Sequence, residues 1–165
     1  MTVEEKLREQ LERRIMVLDG SWGVLIQRDV RGEEAYRAER FRDHPRDVAG
    51  DPDLLNLTRP EIVLGIHRDY FAAGADIATT NTFTATSIGQ ADYGLEEHVY
   101  EMNVAGARLA RQAADEAGGL VAGSVGPLNV TLSLSPRAPT SRPRTRSPRR
   151  RSARPTTRSR TRSTR

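Results

Sequence analysis

The sequence predicts an α/β fold with a parallel sheet, followed by a tail of unrelated composition, and three observations carry that prediction. Three short apolar runs, at 15–18, 75–80 and 120–125, alternate with segments of helical periodicity. Such strand–helix alternation requires parallel strands joined by right-handed crossovers. Each run closes on small polar or glycine residues, the chemistry that gathers beyond the carboxyl ends of such strands. Charge then divides the chain at Arg137. Residues 1–136 hold all 22 Asp and Glu with 14 of the 26 Lys and Arg, a net charge of −8, whereas 137–165 hold 12 Arg and no acid. The overall +4 and the pI near 10.1 describe neither part.

Thr2-Val3-Glu4-Glu5 has capping-box spacing, and Val3, Leu7 and Leu11 recur at helical intervals, so a short charged helix is expected over 3–13. Ile15-Met16-Val17-Leu18, ended by Asp19-Gly20, reads as a strand buried on both faces. Residues 31–57 are polar and punctuated by Gly32, Pro45, Gly50 and Pro52; they read as a long irregular excursion with a turn of helix near Glu33 to Arg40. Thr58-Arg59-Pro60-Glu61 repeats the capping-box spacing with Pro inside the first turn, and Ile62, Ile66, Asp69 and Tyr70 continue at helical spacing toward Gly74. Residues 75–80 have the length and β-branching of a second strand. A third helix is expected over 95–117, with Leu95, Val99, Met102, Ala105 and Leu109 on one side and Gly118-Gly119 closing it. Residues 120–125 form the third strand, ended by Gly126-Pro127.

With 136 residues before the seam, the front part is long enough for one ordinary domain. The chain has no Cys, which excludes a disulfide, a thiolate metal site and a cysteine nucleophile in it. No apolar run approaches the ~20 residues that span a bilayer, and Glu4, Glu5 and Glu9 are foreign to a signal peptide, so no membrane partner and a cytoplasmic location are the default expectations.

Parallel strands place the candidate site at Asp19-Gly20-Ser21, Thr80-Asn81-Thr82-Phe83 and Gly126-Pro127-Leu128-Asn129. Asp19 to Gly23 offers a carboxylate and a free backbone suited to a substrate ammonium group, or simply a tight strand-to-helix turn. Thr79 to Phe83 offers groups that donate and accept, suited to orienting a small polar ligand or to capping a helix. His44, His67 and His98 lack metal-ligand spacing and read as surface or packing residues. Residues 123–126 lack both the G-x-G-x-x-G pattern and the lysine of a phosphate loop.

Taken in order, several segments resemble a known family. They are Arg14-Ile15-Met16-Val17-Leu18-Asp19-Gly20, Glu39-Arg40-Phe41, Asn56-Leu57-Thr58-Arg59-Pro60-Glu61, Gly74-Ala75-Asp76-Ile77, Thr80-Asn81-Thr82-Phe83, Ala91-Asp92-Tyr93, and Val121-Ala122-Gly123 through Gly126-Pro127 to Ser135-Pro136. Over about 13–136 the chain resembles the N-terminal homocysteine-binding module of cobalamin-dependent methionine synthase, a homocysteine S-methyltransferase. The long stretch between strands one and two favours that branch over the smaller betaine- or methylmethionine-dependent enzymes. The resemblance implies a (βα)8 TIM-type barrel that binds homocysteine and zinc and transfers a methyl group from methylcobalamin to the homocysteine sulfur. Zinc there lowers the thiol pKa so that thiolate is present at neutral pH. It is held by three cysteines on later strands, which this sequence does not contain, so neither zinc nor cobalamin is expected to bind this chain and no residue is assigned a catalytic or metal role. Carried over residue by residue, Asp19, Gly20, Ser21, Thr80, Asn81, Thr82 and Phe83 are the substrate-binding residues. Two departures stand out: Thr79 takes the place of a usual Glu, and Ser21-Trp22 replaces a smaller pair.

The expected architecture is therefore a partial barrel of about three βα units over 1–136, with an open inner face and an unpaired strand edge, and without methyl-transfer activity of its own. Residues 137–165, built from Arg, Ser, Thr, Pro and Ala alone, are expected to be disordered. All five residue types have codons with a central C or G. Back-translating Ala138-Pro139-Thr140-Ser141 with G at each third position and shifting by two bases yields Ala-Asp-Val, which contains the Asp-Val pair that the resemblance implies after Ser135-Pro136, so the tail reads as an out-of-frame end. Two alternatives stand beside this reading: a non-catalytic module binding a small amino acid, and an arginine arm at Arg142–Arg165 that binds nucleic acid only non-specifically.

Overall fold

Two short parallel strands and the helices that cover them make up the architecture. The computed structural model describes residues 2–130; the seam at Arg137 and the tail expected to be disordered lie outside the described residues. The chain divides into Met1–Leu132 and Ser133–Arg165, and every element below belongs to the first unit.

Helix α1, Val3–Arg13, forms as its capping box predicts: the Thr2 hydroxyl accepts the Glu5 amide at 3.2 Å and the Glu5 carboxylate accepts the Thr2 amide at 2.7 Å. It buries none of its residues and is tied down by Lys6 Nζ donating to the Gly118 carbonyl at 2.8 Å. The run after it departs from expectation. Only Leu18 bridges, to Ile77 in parallel, and Ile15 is 88% exposed while Val17 and Leu18 are each 51% exposed. A strand is buried on both faces only where other elements supply both covering layers, and among the described residues this run lacks them.

Strands β1 (Ile77–Thr79) and β2 (Leu120–Ala122) pair in parallel with Ile77 opposite Leu120 and Thr79 opposite Ala122. The third strand is thus shorter than the expected 120–125. Helix α2 (Gly23–Asp29) follows the first turn, α3 is Glu33–Arg37, α4 is Leu55–Thr58 and α5 is Pro60–Ala72. After β1 come α6 (Ser87–Gln90), a 3-10 turn at Glu96–His98 and α7 (Val99–Ala117), which Gly118 closes at φ +70°. Helices α5 and α7 lie against each other and against the strands. The Arg68 guanidinium clasps Glu116 across them with two hydrogen bonds of 2.7 Å.

The capping box expected at Thr58 does not form. Thr58 is the last residue of α4, its hydroxyl donates back to the Leu54 carbonyl at 3.3 Å, and α5 starts after Arg59 with no side-chain cap. The excursion 31–57 carries its expected turn of helix as α3, and it is more buried than its polar composition suggests. Val48, Leu54 and Leu55 are fully buried beside Val63, Leu95 and Met102. Its charged residues serve it internally: the Glu33 carboxylate accepts the amides of Val48 at 2.9 Å and Ala49 at 2.8 Å, which lets polar composition enclose an apolar core.

Candidate functional site

Asp19 ends the first run and is almost wholly buried. Its Oδ2 accepts the Thr79 amide at 2.9 Å and its Oδ1 the Thr79 hydroxyl at 2.7 Å, with the Trp22 indole N–H at 3.4 Å. Thr79, the residue standing where the family resemblance expects Glu, thus donates twice to the carboxylate instead of setting a second charge against it. Oδ2 thus accepts two donors, and Oδ1, with one, retains a lone pair for a further donor.

The turn that follows is pinned from α5. The Tyr70 hydroxyl donates to the Ser21 carbonyl at 2.7 Å, and a Cβ on Gly20 would stand 3.2 Å from that same hydroxyl. The Trp22 ring meets His67 edge-on at 4.6 Å. His67 is fully buried with neither ring nitrogen hydrogen-bonded, and burial lowers its pKa to about 4 against the opposing pull of Asp19, so the imidazole is neutral. Of the three histidines read as surface or packing residues, His67 packs, His44 meets the Tyr93 carbonyl at 2.8 Å, and His98 stacks edge-on against Phe41 at 5.0 Å.

At the end of β1 the polar groups are knitted together. The Thr80 and Thr82 hydroxyls lie 2.7 Å apart; Thr80 accepts the Ser124 amide at 2.9 Å and Thr82 donates to the Ser124 carbonyl at 2.9 Å. The Asn81 amide donates to the Pro52 carbonyl at 2.7 Å and to Asn56 Oδ1 at 3.1 Å, while Asn56 returns a 2.7 Å bond to the Asn81 carbonyl. Gly106 of α7 permits this: a Cβ there would stand 2.8 Å from the Asn56 amide. Phe83 stays 54% exposed, and the Gly126 amide donates to its carbonyl at 3.0 Å.

These segments enclose a cleft of about 470 Å³. Ser21, Trp22 and Ile26 form one wall, Thr79, Thr80 and Asn81 another, and Pro52, Phe83 and Ser124 complete it. Of the residues singled out in the sequence, Ser21, Thr80, Asn81 and Phe83 line the cleft, whereas Asp19, Gly20 and Thr82 stand outside its lining. No lining side chain is charged, but Asp19 touches both Trp22 and Thr79, so its negative charge lies directly behind the wall. The third candidate segment is elsewhere: Pro127 and Asn129 line a smaller cavity of about 240 Å³ with Thr84, Asp92 and Tyr93.

Residues 16–154 match the family model described as homocysteine S-methyltransferase. The chain belongs to the homocysteine S-methyltransferase family. Among solved structures it is similar to the homocysteine methyltransferase MmuM from Escherichia coli. The metallated form shares 28% identity at a TM-score of 0.55, over 73% of this chain and 41% of that one. The oxidized form shares 29% identity at a TM-score of 0.55, over 73% of this chain and 40% of that one. The chain thus spans about two fifths of the length of these structures.

Sequence reasoning gave no site role to Pro52, which lines the cleft, and passed over its buried neighbours Asp51 and Asp53 and their partner Gln90. Gln90 is fully buried in a stretch with no apolar periodicity, and the acidic pair resembles a turn, so neither carries a local signal of burial.

Proposed function

We propose that this chain forms the amino-acid-binding wall of a homocysteine S-methyltransferase barrel, contributing about the first three βα units, and that alone it binds homocysteine without methylating it. One observation carries this reading: two strand-end segments, 19–22 and 79–83, converge on an uncharged cleft with a buried carboxylate behind it. The unspent lone pair of Asp19 Oδ1 favours the substrate ammonium, and Asn81, Ser21 and Ser124 supply polar groups for the rest of its amino-acid end.

Zinc and methylcobalamin, which the resemblance implies, stand differently. Zinc in the family is held by thiolates, this chain has no Cys, and no group of three His, Cys, Asp or Glu suited to a metal occurs among the described residues. The residues present do not fit that metal, and no proposed step runs through it. With no cationic group in the cleft lining, a bound homocysteine keeps a thiol near its ordinary pKa, about 8.5 for a free Cys, and is mostly un-ionised at neutral pH. No residue is assigned to cobalamin. The seam also remains part of the proposal: 1–136 is the family portion and 137–165 its out-of-frame end. The family match crosses that seam to 154, and resequencing the codons for Ser135 to Pro139 decides it.

Titration calorimetry of the full chain with homocysteine tests the binding reading. One site is expected, with Asp19→Asn weakening it on the order of tenfold, about 1.4 kcal/mol. No heat, or unchanged affinity in Asp19→Asn, defeats it.

A further inference from the structure

Asp51 and Asp53, on the loop leading into α4, are both fully buried. Asp51 Oδ1 accepts the Gln90 side-chain amide at 3.1 Å and the Asp53 amide at 3.2 Å. Asp53 Oδ2 accepts both the amide, at 3.1 Å, and the hydroxyl of Thr84. Three buried oxygens are left without a partner: Asp51 Oδ2, Asp53 Oδ1 and Gln90 Oε1. All three are acceptors. Buried charge and buried acceptors are costly when unmatched, so what this cluster lacks is a donor.

The side chains around it offer little: Tyr93 spends its hydroxyl on the Gly50 carbonyl at 3.3 Å, the Gly50 amide faces the Tyr36 oxygen, and Asp92 adds a further acid. The nearby bases are committed to backbone carbonyls, His44 to Tyr93 and Arg46 to Ala91. A single proton relieves the cluster: it cancels one of two buried charges and turns one orphan acceptor into a donor.

The same residues hold the cleft together. Pro52, between the two acids, lines the cleft and accepts the Asn81 amide, while Thr84 directly follows Phe83. We propose that Asp51 and Asp53 form a proton-operated latch fastening the loop 50–53 to the segment 81–90, shut while the pair holds one proton and loosened when it leaves. Burial pushes Asp51 up to about 6 and raises Asp53 as well, so the folded state holds a proton that the opened state, near 3.8, releases. A carboxyl raised on folding stabilises at low pH, and that stabilisation is lost as pH climbs through about 6. The latch operates whatever the cleft binds.

Hydrogen exchange of the full chain, expressed as protection factors to remove intrinsic pH effects, tests this. Protection of 81–90 is expected to fall on the order of tenfold between pH 5 and 7.5. Asp51→Asn should abolish that fall and hold the pH 5 value throughout; Asp53→Asn serves as the second variant if the first unfolds. Equal protection at both pH values, the same fall in both variants, or no protection at either pH overturns the latch. So does full restoration at pH 7.5 by added Ca²⁺ alone, which would make the missing donor a cation.

Discussion

The clamp of 51–56 with 81–84 and the open run of 15–18 lie at opposite extremes of burial, and in the reverse order to their composition. The clamp's first half belongs to a charged, turn-rich stretch yet lies in the core: Asp51, Asp53, Leu54 and Leu55 show no exposure. The apolar run is surface, with Ile15 88% exposed, and so is Val125 after β2, also at 88%. Burial follows from which elements are present to cover a segment. The clamp has α5 and α7 behind it, whereas the run and the residues after β2 have no such cover among the described residues.

The largest effect should come from the clamp. Leu55→Ala is expected to cost about 3 kcal/mol, read as a lower urea midpoint at constant m-value, whereas Ile15→Ala should change stability by less than about 0.5 kcal/mol. Comparable losses in the two variants would break the contrast.

A pH experiment sharpens it. His67 is neutral in the fold with a pKa near 4, so it contributes stability above its ordinary 6.5 that is lost as pH falls toward 4, up to about 3 kcal/mol. Asp51 works in the opposite direction over nearly the same range, being stabilising at low pH, and the two offset each other in the native chain. Asp51→Asn should therefore become distinctly less stable between pH 6.5 and 4, and adding His67→Leu should flatten that slope. A native chain whose stability changes steeply there would contradict the opposition.

A smaller effect is expected at the run's own anchor. Arg14 forms paired hydrogen bonds with Asp76, which also accepts the Val17 amide at 2.8 Å, and these hold the Asp76 carboxyl down to about 2. Its stabilisation is present above pH 3.8 and lost as pH falls toward 2, so Arg14→Ala should lower the urea midpoint modestly at pH 7 and leave it unchanged near pH 2. The smallest effect on stability belongs to Ile15→Ser, which should leave the midpoint alone while reducing light scattering at high protein concentration. Unchanged scattering would mean that the open face is not what associates.

Much of the outer frame could be read in advance because its signals are local. Thr2 and Glu5 cap α1 through contacts three residues apart, and Gly118 closes α7 because that end needs positive φ. Four of the seven residues assigned to substrate converge on one cleft because parallel strands bring their carboxyl ends together. The clamp stayed hidden because its partners are distant in sequence: Asn56 reaches Asn81 and the Met102 carbonyl, and Asp51 reaches Gln90. Helices α4 and α6 are four residues each, too short to show a period. The exposure of the first run was illegible for the opposite reason, since an apolar strand looks the same whether or not its covering layers are present.

The most direct test of the whole account supplies the purified chain with homocysteine, zinc and methylcobalamin and quantifies methionine against a protein-free control. Methionine formation no faster than the control, from a chain that calorimetry shows to bind homocysteine, is the predicted result. Catalytic turnover above that control would contradict the claim that this chain supplies a binding wall and leaves thiol activation to residues it does not contain.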